Sequence, residues 1–123
     1  MKEGDIILIA LRQADGQFKN RPALLLRQFP PFGDRLMCGI SSQPHQRVPD
    51  FDEVMAQVDA DFASSGLMAE SVIRLGFLAV VPTRDILGTI GSVAPERHWR
   101  ILNRLSRFLL PQVHVAYPPR PQS

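Results

Sequence analysis

Cysteine occurs once in this chain, at Cys38, and a single thiol excludes an internal disulfide. No group of cysteines and histidines has the spacing of a zinc site, so no covalent or metal staple is expected to hold the fold. There is also no run of about 18 apolar residues, the length that a membrane-spanning helix needs. The opening "MKEGDIILIAL" has an acid on each side of Gly4 and too short an apolar stretch for a secretory signal. These absences predict a protein of the reducing cytoplasm, with no cofactor, no metal and no membrane partner. The 123 residues then form one domain, large enough to bury roughly two-thirds of its unfolded surface without such aids.

Positive charge is missing from one long segment. Residues 50 to 70 hold six acids (Asp50, Asp52, Glu53, Asp59, Asp61 and Glu70) and neither Lys nor Arg, although the whole chain carries +2. The remainder is therefore strongly basic and could hold phosphates. The acidic segment would lie away from a nucleic-acid path or frame it, and a solvated acidic loop is the simpler account.

What is present is a series of short strands followed by one helix. Residues 5–11 have the composition of a buried strand, "RQADGQFKN" that of a loop turning at Asp15-Gly16, and 22–27 that of a second strand. In "RLMCGISSQ", Leu36, Cys38 and Ile40 alternate with Met37, Gly39 and Ser41, which predicts a half-buried strand with Cys38 in the packing. "DEVMAQV" is an ambiguous strand and "ASSGLMAE" a connection. "SVIRLGFLAVV" is a longer strand whose Ile73, Leu75, Phe77, Ala79 and Val81 would share a face, and "GTIGSV" is a last short strand. From Pro95 to Leu109 the period becomes helical. Trp99, Leu102, Leu105 and Leu109 would form its apolar stripe, with Arg97, Arg100, Arg104 and Arg107 opposite on a solvated face. The fold class is thus mainly β, a small barrel or sandwich with a C-terminal helix. Residues 1–110 would be the domain and 111–123 a Pro-rich tail.

The segment "KNRPALLLRQF" holds the most suggestive dipeptide. Pro22 has no backbone donor and suits the first position or edge of a strand, and it biases Arg21 toward an extended backbone. Arg21 is therefore held at a defined point, as a solvated edge residue or as a positioned cation.

In order and spacing, "GDIILIAL", "NRPALLL", "LMCGISSQ", "SGLMAESVIRLGFLAVVP", "LGTIGSV" and "PERHWRILNRLSRFL" resemble the MazF/PemK family of toxin-antitoxin ribonucleases. The resemblance runs from about residue 4 to 109. It implies an SH3-like barrel with a terminal helix, a homodimer, metal-independent cleavage of single-stranded RNA and neutralisation by a cognate antitoxin protein. It also implies a catalytic Arg at Arg21 and a catalytic hydroxyl at Ser41, with Ser42 as the neighbouring alternative. A guanidinium can grip two phosphate oxygens and stabilise the charge that builds during attack by a ribose 2′-OH. Arg74 would contact RNA or form a surface ion pair, and His45 would serve the substrate or act as a base, or be a plain loop histidine.

The chain departs from the family pattern at two places. Some members carry an acid two residues after the fifth-strand Arg, where this chain has Gly76, and some place a His or Glu in the first loop, where residues 12–20 offer only Asp15. The general base is left unassigned. A second reading therefore stands beside the ribonuclease: a non-catalytic SH3-like module that binds a protein partner, as a degenerate toxin or a gyrase-poison-like relative.

Overall fold

A computed structural model describes residues 1–111. The expected Pro-rich tail lies outside the described residues, save Pro111. Six strands, β1 (Asp5–Arg12), β2 (Phe18–Gln28), β3 (Arg35–Ser41), β4 (Glu53–Met55), β5 (Ser71–Val81) and β6 (Ile86–Ser92), precede the helix α2 (Pro95–Leu109). A four-residue helix, α1 (Phe62–Ser65), sits between β4 and β5. The strands form one antiparallel sheet in the order β4-β5-β3-β2-β1-β6, curled into a half-barrel. This is the mainly β, barrel-like architecture with a terminal helix that the sequence predicts.

Both faces of the sheet are apolar, which explains the unbroken run Ala23-Leu24-Leu25-Leu26. Leu24 and Leu26 join Ile6, Cys38, Ile40, Ile73 and Leu75 under α2, whereas Ala23 and Leu25 join Ile7, Ile9 and Met37 on the other face. A strand buried on both sides needs no polar alternation. Cys38 is fully buried in the first cluster, as its alternation predicts. Removal from water, reinforced by the charge of Asp52, pushes its thiol up to about 12.

β2 begins earlier than expected. The turn closes within Gln13 to Gln17, where Gly16 takes a positive φ, and pairing with β1 starts at Phe18 opposite Arg12. Pro22 is consequently inside β2, opposite Leu8, rather than at its first position. It is tolerated because the β2–β3 ladder begins only at Ala23 opposite Gly39, so residues 18–22 pair on one side alone.

The expected single face of β5 is overturned. Gly39 pairs with Arg74 while the preceding Cys38 pairs with Leu78, so Leu75, Gly76 and Phe77 bulge out of the β3–β5 ladder. The odd number of extra residues exchanges the faces, because side chains alternate along a strand. Ile73 and Leu75 pack under α2, whereas Ala79 and Val81 pack against the opposite cluster. The Leu75 N–H donates to buried Asp52 Oδ1 (3.0 Å), and Asp52 Oδ2 accepts from Val48 N–H (2.9 Å).

The helix is rotated relative to the expected stripe. Arg97, Ile101 and Leu105, spaced four apart, form the buried line, while Trp99 and Leu109 are about two-thirds exposed at 66% and 67%. The rotation is set by Arg97, which is not on a solvated face. Its Nε and Nη2 donate to Asp61 (2.8 and 3.0 Å), Nη1 to Glu53 (2.9 Å) and to the Val54 carbonyl (3.0 Å), and Nη2 also to Asp59 (3.0 Å). Arg100 and Arg104 also pair with Glu53. Asp52, Glu53 and Asp61 are all buried, and Glu53, Asp59 and Asp61 are the counter-charge of α2, so only the ends of the acidic segment, Asp50 and Glu70, are exposed as a solvated loop would be. Ala94 offers no side-chain cap, but its N–H donates to Asp61 Oδ2 (2.9 Å), which puts a carboxylate at the helix start.

Burial alone would raise the Asp61 pKa; hydrogen bonds from Arg97 and the Ala94 N–H, with the Arg97 charge, outweigh it and lower it. Two outcomes follow from this cluster. Arg97→Met keeps the stem but strands buried carboxylates, and should cost about 3–5 kcal/mol in urea unfolding at pH 7. Because folded Asp61 holds its proton less tightly than the unfolded chain does, its contribution is complete above the unfolded carboxylate range. It is lost as pH falls below about 4. The thermal midpoint should therefore drop between pH 6 and pH 3, and drop less in Asp61→Asn.

Candidate active site

The site lies where two strands part. Past Ala23 opposite Gly39, β2 continues along β1 and β3 continues along β5, with no further pairing between β2 and β3. A groove of about 600 Å³ opens there. Arg21 and Lys19 come from β2, Ser41 from β3 and Arg74 from β5, where Arg74 stands opposite Gly39 and Ser41 opposite Val72. Arg12, at the end of β1, completes a set of four cations. All four line one groove because each lies at a strand position that the register turns to the same side, or at its rim.

Among the described residues, no Asp, Glu or His lines this groove. Among the described residues none of the four cations has an ion-pair partner, since the salt bridges of the fold use Arg27, Arg97, Arg100 and Arg104. The groove is thus a concentration of positive charge with no described acid inside it to neutralise it. Such a site attracts polyanions and holds phosphate oxygens by charge-assisted hydrogen bonds.

Ser41 is already oriented. Its hydroxyl donates to Gln46 Oε1 (2.5 Å) and accepts from the Gln43 N–H (3.1 Å). Gln46 belongs to a single 3₁₀ turn, Pro44–Gln46, which folds the chain back toward the end of β3. Ser42 and Gln43 also line the groove. His45, in the middle of that turn, is exposed and does not line it. Gly76 is in the bulge, likewise outside the lining. The groove therefore gathers Arg21, Ser41, Ser42 and Arg74, leaves out His45, and adds Arg12, Lys19, Gln46 and Phe77.

Gln46 and Phe77 carried no sequence signal of their own. The first depends on a turn that recruits a residue five positions beyond Ser41, the second on a bulge that turns it out of its expected face. Among the described residues, no cluster of three His, Cys, Asp or Glu side chains is placed to bind a metal ion. No helix among them is long and apolar enough to cross a membrane.

A half-barrel with a terminal helix and a cationic groove at the parting of two strands defines a small, mainly β, barrel-like class. The pattern of the family described as PemK-like, MazF-like toxin of type II toxin-antitoxin system matches residues 2–109. The chain belongs to that family and is a toxin of this kind, whose protein partner is an antitoxin. No curated protein matches the sequence.

Proposed function

We propose that the protein is an endoribonuclease that cleaves single-stranded RNA in this groove. The observation that carries the reading is the acid-free set of unpaired cations, Arg12, Lys19, Arg21 and Arg74, gathered around the oriented hydroxyl of Ser41. The ribose 2′-oxygen attacks the adjacent phosphorus in line, the bond to the 5′-oxygen breaks, and the products are a 2′,3′-cyclic phosphate and a 5′-hydroxyl. Arg21 and Arg74 stabilise the oxygens on which charge builds. Arginine stays protonated, with a pKa above about 12, so it acts through charge and hydrogen bonds or as a proton donor, not as a base. Ser41 Oγ, held by Gln43 and Gln46, presents its remaining lone pair to the substrate. Among the described residues no carboxylate or imidazole is in the lining, so the 2′-OH proton passes to solvent, and the leaving 5′-oxygen takes up a proton from solvent or from an arginine.

The lack of a base in the groove also favours the second reading, a toxin that binds a partner without cutting RNA. Long single-stranded RNA incubated in EDTA separates the two. The parent should cleave, the ends should be cyclic phosphate and 5′-hydroxyl, and deoxyribose at the cut site should abolish the reaction. Arg21→Ala should lose on the order of 10²–10³ in rate, the scale of removing one preorganised donor, and Ser41→Ala somewhat less if Ser42 substitutes. A parent-like rate in Arg21→Ala would sink the assignment of Arg21, and a parent that leaves the RNA uncut would favour the binding module.

The proposed enzyme acts as a homodimer. Sedimentation equilibrium at micromolar concentration should give twice the chain mass; a strict monomer there removes this part of the reading.

A further inference from the structure

Phe77 is an exposed aromatic in a groove that is also lined by cations, by polar side chains and by the apolar Ile9, Leu11, Met37 and Ile40. Its side chain is 41% exposed and lines the site together with Arg74 and Arg21. Two features put it there. The three-residue bulge takes Phe77 out of the β3–β5 ladder, a device that re-aims a side chain near a site. Gly39 then leaves room for the ring: a Cβ at that position would stand 2.6 Å from Phe77 Cδ1 and 3.2 Å from Cγ, closer than packed atoms come. The ring thus rests on the backbone of β3, opposite Arg74, and its outer side stays open to the groove.

We propose that Phe77 is a stacking platform for one unpaired nucleobase of the RNA strand, seated by Gly39 and flanked by the phosphate-holding cations. An aromatic face beside a track of unpaired positive charge is the combination that single-stranded nucleic acid recognises. The cations follow the backbone and the ring takes a base without needing its hydrogen-bonding edge. Phe77 belongs to neither apolar cluster of the sheet, so core packing does not account for its place beside the cations. The proposal rests on the reading of the groove as an RNA site and adds to it the place where a base, rather than a phosphate, is held.

The test uses the full chain and a fully 2′-O-methylated single-stranded RNA that spans the segment the parent cuts or protects. A panel carries one abasic nucleotide at a time. Phe77→Leu should weaken binding about tenfold, within the range of one base–aromatic stack. One abasic position should weaken the parent by a similar factor and leave Phe77→Leu unaffected, whereas the other positions should weaken both alike. Phe77→Trp keeps a stacking face and should bind as the parent does. In a Trp99→Phe background its fluorescence should be quenched by the RNA.

Phe77→Leu binding within twofold of the parent, or abasic losses that add fully to it at every position, overturns the stacking site. Loss of binding in Phe77→Trp equal to that in Phe77→Leu does the same. A parent that cleaves RNA while the Phe77 variants bind unchanged removes only this inference. A parent that neither binds nor cleaves RNA removes the ribonuclease reading with it.

Discussion

The buried guanidinium of Arg97 organises the molecule. It reaches Glu53, Asp59 and Asp61 in one fan of hydrogen bonds, and it does so from the first turn of α2, where a carboxylate is also favoured by the helix dipole. A buried cation is tolerable only when its donors are matched, and Arg97 achieves this with three carboxylates and a backbone carbonyl. The requirement fixes the rotation of α2 on the sheet, which sends Ile101 and Leu105 into the core and leaves Trp99 outside. It also decides where the protein's charge goes. Glu53, Asp59 and Asp61 are occupied by helix arginines, and Glu3 by Arg27, and among the described residues no acid lines the groove.

The same segment reaches the groove through the backbone. Asp52, next to Glu53, accepts the Leu75 N–H that the β5 bulge would otherwise leave unpaired in the interior. An orphaned buried N–H costs on the order of 1–3 kcal/mol, which would disfavour the bulge and restore a regular ladder. With Asp52 in place the bulge persists, Phe77 turns onto Gly39, and Arg74 keeps its position opposite that glycine. The acidic segment thus supports the cationic site twice, by absorbing the competing arginines and by stabilising the irregularity beside it.

Much of this was legible in the sequence. Turn residues and alternation gave the succession of strands along the chain, the packing of Cys38, and the bounds of α2 from Pro95 to Leu109. The family pattern of Arg21, Ser41 and Arg74 converges in one groove. What escaped depends on non-local pairing. A period-2 count along 71–81 has no means of registering a bulge stabilised by Asp52, so it put Phe77 with Ile73 and Leu75. A helical stripe drawn from apolar residues alone counted Arg97 as solvent-facing, because the three carboxylates that bury it are 36 to 44 residues away in sequence. Gln46 escaped for the converse reason: its bond to Ser41 is local but runs through a 3₁₀ turn that the "PHQR" composition does not single out.

The arrangement also constrains the chemistry on the proposed reading. A carboxylate or imidazole placed among Arg12, Lys19, Arg21 and Arg74 could accept the 2′-OH proton, but it would also pair with those cations and reduce their hold on phosphate. This chain has taken one side of that trade-off, since Glu53, Asp59 and Asp61 are held by α2 arginines and His45 does not line the groove. Rate must then come from orientation and from charge fixed before the substrate arrives, which demands a rigid register between β2, β3 and β5. The continuous apolar packing of Ile7, Ile9, Ala23, Leu25 and Met37 against the groove-bearing face supplies that rigidity. β2 is thus buried on both faces from Ala23 to Leu26, and the opening begins where β2 and β3 part.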